Sequence, residues 1–280
     1  MKRKAFTLIE LLVVIAVIAV LMGILMPALR LVREQARSIV CSSNLRTLVM
    51  GWRLYADQND GKIVYAMTPN VYSSGMSNAL DSGNSAWVLN TSDPYTASVE
   101  EKIEGIKNGA LWPYIKNVKA YRCPSDRRIN NPAHLQAYRT FAIPGGLNGT
   151  DGQANVSKVC ESLTDIKHHS RKYVFLPECD VRGSNRGTWL LSPTTGHWVD
   201  AFGAWHRGRS TNFVFVDGHT EKYQWQSQSL VDWCELALYE PSKFYFNRDV
   251  PADNVDEQMD WNWAVEGYAY KTLTGPILRF

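Results

Sequence analysis

No charged residue occurs between Leu11 and Leu29. A run of that length can cross a bilayer as a helix, which takes roughly 20 apolar residues. No A-x-A cleavage site follows it; Arg30 and Arg33 come instead. An ordinary secretory signal would carry its small-residue site there, so that class is disfavoured. The chain also has little net charge of its own. Lys and Arg number 30 against 27 Asp and Glu, and Lys2, Arg3 and Lys4 supply the whole excess of +3. Beyond those three residues the balance is neutral, and a nucleic-acid partner has no electrostatic support.

Enzyme signatures are missing too. There is no G-x-S-x-G, no H-E-x-x-H and no P-loop. Ser and Asp are abundant, but abundance is not a triad. The expectation is a non-enzymatic protein with no cofactor. No C-x-x-C pair occurs, which disfavours a zinc knuckle or redox motif. The five cysteines are Cys41, Cys123, Cys160, Cys179 and Cys234. An odd count leaves at least one outside any intrachain bridge. Two bridges and a set of buried thiols both stay open. His168, His169 and His197 sit among polar neighbours and read as surface residues.

What is present begins at the N-terminus. Lys2, Arg3 and Lys4 lead, Ala5 follows, then Phe6-Thr7-Leu8-Ile9-Glu10 and the apolar run. A carboxylate inside a membrane segment costs about 2.5–3.5 kcal/mol if it lies deep, so Glu10 needs a partner. Basic residues ahead of the span predict that they stay cytoplasmic and the rest is exported. Together these features closely resemble the N-terminus of type IV pilins and of type II secretion pseudopilins. The resemblance implies cleavage by a prepilin peptidase between Ala5 and Phe6 and methylation of the new amino group. It also implies pairing of Glu10 with a neighbouring subunit's N-terminus. The family usually has Gly where Ala5 stands. Implied partners are the peptidase, other pilin or pseudopilin subunits and the bacterial inner membrane. The chain would cross it once, with an extracytoplasmic C-terminal domain.

The resemblance implies a leader at 1–5, a long helix at 6–58 with 6–29 in the membrane, and a globular part at 59–280. The expected fold class is α+β, a long N-terminal helix packed on an antiparallel sheet. Gly23 and Pro27 are expected to break the helix, since Pro lacks a donor and crowds the preceding turn. A static kink and a pilin-like loosening on assembly are both open. Beyond Leu29, Leu45, Leu48, Val49, Trp52 and Ala56 fall on one helical face. Arg30 and Glu34 stand at i,i+4 spacing. Asn59-Asp60-Gly61 should end the helix.

A narrower resemblance extends downstream, to a large group of bacterial prepilin-like proteins. It rests on Cys-x-x-Asn-Leu-x-x-Leu from Cys41, Tyr-Ala-x-x-x-x-Gly from Tyr55, and Cys-Pro-Ser-Asp at 123–126. Residues 138–149 and 163–178 carry further landmarks, and the last is a His followed by Asp-Gly. Here His206 and Asp217 are one residue further apart than in the group, an insertion placed at 207–211.

Strands are predicted at 63–67, 86–89, 172–176, 187–191, 212–216 and 219–225, with short helices in 98–116. Residues 73–85 and 144–157 read as Gly-rich loops. His206 precedes a hairpin whose Asp217-Gly218 would form a type I′ turn. His206, Asp217 and His219, with Glu178 or Asp180 nearby, are a weaker candidate metal set; turn and packing roles already account for them. The tail, 226–280, mixes Trp233, Trp261 and Trp263 with Asp249, Asp253, Asp256, Glu257 and Asp260. It is either a cover for the sheet or a binding surface. The leading functional expectation is a structural subunit of a pilus-like filament or secretion pseudopilus. The alternative is a membrane-anchored module that binds glycans or secreted substrates.

Overall fold

The computed structural model describes residues 8–68, 85–90, 96–130, 137–149, 156–179, 187–273 and 275–280. One helix, α1 (Leu8–Gln58), dominates it. Its 51 residues span about 77 Å at 1.5 Å per residue. The two halves differ in chemistry. Up to Val40 the side chains are almost all exposed, apolar ones included. From there on Leu45, Leu48, Val49, Trp52 and Ala56 are fully buried, the face the spacing predicted, and Cys41 joins them. The helix ends where expected. Asp60 and Gly61 take left-handed backbone, and the Gly61 amide donates back to the Ala56 carbonyl.

At Gly23 and Pro27, where a break was expected, α1 runs as a continuous helix in the single chain. Pro27 removes one helical bond, and its acceptor would have been the Gly23 carbonyl four residues back. Gly23 has open space where a Cβ would stand, so little crowds that turn.

Short helices follow at α2 (Val99–Lys107) and α3 (Trp112–Ile115). Ser98 and Glu101 close a capping box on α2. Among the described residues ten strands follow: β1 (Phe141–Pro144), β2 (Val156–Lys158), β3 (Tyr173–Pro177), β4 (Thr188–Trp189), β5 (Leu191–Ser192), β6 (His197–Trp198), β7 (Ser210–Phe215), β8 (Thr220–Gln224), β9 (Arg248–Asp249) and β10 (Thr272–Leu273). Helices α4 (Gln228–Tyr239) and α5 (Val255–Gly267) lie among the last of them.

The main sheet has the order β4-β1-β3-β7-β8. It is antiparallel except for the parallel pair β1 and β4. Two small sheets, β10-β2 and β5-β6-β9, accompany it, where a single sheet was expected. Runs 63–67 and 86–89 are not strands; they meet through a lone bridge between Tyr65 and Ala86. No strand was expected at β1 or β2, and each overlaps the predicted loop at 144–157 by one or two residues.

α1 packs on β7, β3 and β8. Period-two alternation sorts the sheet's side chains onto two faces. Phe141, Ile143, Val214 and Val216 turn toward α1, while Ala142, Phe213 and Phe215 turn away. On β3, Val174 and Phe175 share the α1 side, and a register shift between Tyr173 and Phe175 accounts for it.

The far face is covered by the tail, which forms two helices there. Trp233 and Trp261 are buried there beside Trp189, Trp198 and Trp225. Trp263 stacks on Tyr173 and Tyr223. The acids divide. Asp260 is buried and accepts from the Gln226 and Ser227 amides and the Tyr223 hydroxyl. Glu257 pairs with Arg248 at 2.9 Å. Asp249, Asp253 and Asp256 face solvent. All five cysteines are buried free thiols.

Candidate functional site

Ala5 and Phe6 lie outside the described residues. Glu10 stands in the first turn of α1, exposed. From Leu8 to Leu29 the large apolar side chains are exposed too, with Leu8 at 79% and Ile24 at 70%. No other part of the described chain packs on this stretch, which is long and apolar enough to cross a membrane. In water such a surface would be costly, at about 25 cal/mol per Å² of apolar area. A membrane or other copies of the helix would cover it.

The His206 to Asp217-Gly218 region spans β7 and both its ends. His206 and Ser210 exchange backbone bonds across a tight turn. Gly208 and Arg209 supply its left-handed residues at φ 78° and 55°. This turn lies within the 207–211 stretch to which the extra residue was assigned, ahead of the β7–β8 register. At the far end, Gly218 (φ 98°) is the one left-handed residue of the turn. The Gly218 amide donates to the Phe215 carbonyl, and the Phe215 amide to the His219 carbonyl. That is a three-residue loop with a glycine bulge, not the expected type I′ turn, which would need Asp217 left-handed as well. Asp217 Oδ1 accepts from the His219 amide and pairs with His219 Nδ1 at 2.6 Å.

His206, Asp217 and His219 therefore do not converge as metal ligands. The six residues of β7 separate them by about 20 Å at 3.4 Å per residue. Glu178 is buried one strand away, and Asp180 lies outside the described residues. His168 and His169 are exposed, and His197 pairs with Asp249.

His206 instead turns inward, to residues that no spacing connected to it. Its Nε2 lies 3.5 Å from Cys123 Sγ. Cys41 Sγ completes a buried trio whose ligand atoms all lie within 4.8 Å of one another. On the other side of the ring, Nδ1 lies 3.3 Å from Glu34 Oε1 and 3.5 Å from Ser125 Oγ. Ser125 Oγ donates to the same Glu34 oxygen at 2.9 Å. Glu34 also pairs with Arg37 at 3.5 Å. Each sequence landmark brings one member: Cys41 from α1, Cys123 from Cys-Pro-Ser-Asp, and His206 from before β7.

Local bonds explain the convergence. Asn44, one helical turn beyond Cys41, donates to the carbonyls of Lys119 and Arg122. That draws the segment leading to Cys123 onto the helix. The Asp126 amide closes the Cys-Pro-Ser-Asp turn on the Cys123 carbonyl. Asp126 is buried and paired with buried Arg128 at 2.8 Å. Asn212 of β7 donates to the Ser38 carbonyl and hydroxyl, fixing β7 against the helix.

The electrostatics follow from burial and proximity. Burial pushes the Cys41 thiol well up. Burial acts upward on Cys123 as well, but bonds from Cys41 and His206 and the His206 charge outweigh it and bring this thiol to about 6. Burial opposes the charge on His206, yet Cys123 and Glu34 raise it above the ordinary value. The arrangement favours a thiolate beside an imidazolium. A cavity of about 300 Å³ lies alongside, lined by Glu34, Arg37, Ser125, Arg128, Trp205 and Tyr239 among others. It reaches Glu34 and Ser125, which border the His206 ring, and none of the trio lines it. The sequence offered the trio's members as landmarks of a resemblance, but 83 residues separate Cys123 from His206, and no spacing rule joins them.

A family model described as the prokaryotic N-terminal methylation motif matches residues 1–26. No curated protein and no solved structure matches the chain. The motif, the apolar helix that continues it and the α+β domain behind them agree. The chain thus carries a prepilin-type N-terminal methylation motif at the head of a long apolar helix, consistent with a type IV pilin-like protein.

Proposed function

We propose that this chain is a structural subunit, cut by a prepilin peptidase and assembled through its N-terminal helix into a pilus-like filament or secretion pseudopilus. The observation that carries the reading is the exposed apolar half of α1, headed by the methylation motif. Before assembly the bilayer solvates that surface, with Lys2, Arg3 and Lys4 on the cytoplasmic side and the domain exported. In the assembly, neighbouring helices replace lipid in a repeating head-to-tail arrangement. Glu10 neutralises the amino group of a neighbour's Phe6, a pairing that a dry helix core makes strong. Pro27 and Gly23 are where the helix loosens as subunits pack. The role is mechanical and needs no catalysis.

Glu10→Ala tests this in the native host. The expected result is loss of the chain from filaments or pseudopili, with the exported domain as protease-resistant as in wild type. Normal incorporation of the variant would overturn the mechanism. Mass spectrometry of the N-terminal peptide is the companion measurement. A methylated peptide beginning at Phe6 is expected, and one beginning at Met1 would leave the helix as an anchor only.

A further inference from the structure

We propose that Cys41, Cys123 and His206 form a binding site for a thiophilic metal ion of the zinc class, built at the junction between α1 and the globular domain. This goes beyond the assembly role and does not depend on it.

Zinc sites take Cys and His ligands in tetrahedral geometry, and three protein ligands with one solvent position are a common form. Zn–S near 2.3 Å and Zn–N near 2.0–2.1 Å place a sulfur and a nitrogen ligand about 3.6 Å apart. Cys123 Sγ and His206 Nε2 are 3.5 Å apart. Cys41 Sγ falls within the same small sphere. The outer contacts fit as well. A metal-bound imidazole usually gives its second N–H to a carboxylate, which fixes tautomer and ring orientation. Glu34 stands on Nδ1 for that purpose, steadied by Ser125 and Arg37. The ligands come from a helix, a loop and the approach to a central strand, so an ion there ties three segments together.

Two other readings use only part of this geometry. A Cys41–Cys123 disulfide would leave the His206–Glu34 pair without a role. A nucleophilic Cys123 activated by His206 would have to meet a substrate, and Cys123 is 0% exposed. An ion needs no room for a substrate there, and the nearby cavity reaches Glu34 and Ser125, which border His206. Binding the ion releases to solvent the Cys41 proton and the one held between Cys123 and His206.

The test uses the full chain in detergent, reduced and stripped of metal, titrated with Co²⁺ and then Zn²⁺. One equivalent of Co²⁺ should give a sulfur-to-metal charge-transfer band that Zn²⁺ abolishes. Cys41→Ser and Cys123→Ser should remove the band, while Cys160→Ser and Cys179→Ser should leave it. Glu34→Gln should weaken binding about 10–100-fold, the usual effect of losing such an outer partner. X-ray absorption at the zinc edge of the wild-type chain needs no variant to fold, and should show two sulfurs and one nitrogen. A shell of oxygen and nitrogen alone would overturn the proposal. So would an unchanged cobalt band in the Cys41→Ser/Cys123→Ser double variant. So would a Cys41–Cys123 disulfide as the main form in chain alkylated directly in host membranes.

Discussion

Replacing Asp126 by Ala should be among the most damaging single changes outside the aromatic core. The carboxylate accepts five bonds in a fully buried setting. Arg128 contributes its amide at 3.0 Å, Nε at 3.1 and 3.2 Å and Nη2 at 2.8 Å; Thr140 Oγ1 adds one at 2.6 Å. The side chains of Arg128 and Asp126 are 1% and 0% exposed. Burial works against the Arg128 charge, and Asp126 more than compensates, raising the guanidinium pKa. Without the carboxylate, the buried cation keeps only the Arg139 carbonyl, the face of Trp205 and the more distant charge of buried Glu178. Breaking a buried pair from one side costs about 3–5 kcal/mol. For a domain of this size each kcal/mol moves the midpoint by about 2–4 °C, so Tm should fall by about 6–20 °C. Thermal unfolding of the full chain in detergent, followed by tryptophan fluorescence, reads this directly. Asp126→Ala with Arg128→Met should recover most of the loss, because a buried pair can often be exchanged for apolar groups at little cost. A loss under about 1 kcal/mol for the single variant would refute the reasoning. So would a double variant less stable than the single one.

Other outcomes follow from the same structure. Trp225→Ala removes a ring stacked at 3.9 Å on Phe202 and bonded through Nε1 to Thr211. It should cost about 3–5 kcal/mol in urea unfolding. Gly146→Ala would place a Cβ 1.8 Å from the Ala269 carbonyl oxygen. That backbone cannot yield as a side-chain tip would, and a loss of at least about 1–3 kcal/mol is expected in the same assay. Asp165 gives a pH signature. Burial acts to raise its carboxyl, but Lys271 and the Glu161 and Ser162 amides outweigh it and hold it below the usual carboxylate range. A depressed carboxyl stabilises the fold above the unfolded value, near 3.8, and the benefit fades as pH falls through the folded value. Asp165→Asn should therefore be less stable than wild type at pH 7, and the gap should close below pH 3.8. A gap that persists in acid would mean the loss has another cause.

Periodicity was sufficient for α1. The buried face Leu45, Leu48, Val49, Trp52 and Ala56 could be read directly, and so could its end at Asp60-Gly61. β7 and β8 were legible because β-branched and aromatic residues cluster on either side of Asp-Gly. The turn itself was misjudged: Asp-Gly fits two loop types, and only the pairing of Phe215 with His219 separates them. β1 escaped notice because Phe141–Pro144 ends in Pro and runs into Gly145-Gly146, which look like loop. In the tail, aromatic and acidic residues mask the helical period of α5. Its acids are split between buried partners such as Arg248 and open solvent. The methylation motif was legible as a local string. The buried trio was not, since its members are distant in sequence and tertiary folding alone brings them together.

The edges of the main sheet bear on how many copies can stand side by side. An unpaired strand edge offers a row of donors and acceptors that another chain can extend. β4, at one edge, has only two residues, both buried. β8, at the other, exposes Glu221 and Lys222 in alternating directions and has only partly buried neighbours. A short covered edge and a charged one are poor templates for runaway strand addition. Subunits crowded at high local concentration would keep their sheets separate, and contact between copies would fall to the apolar helices.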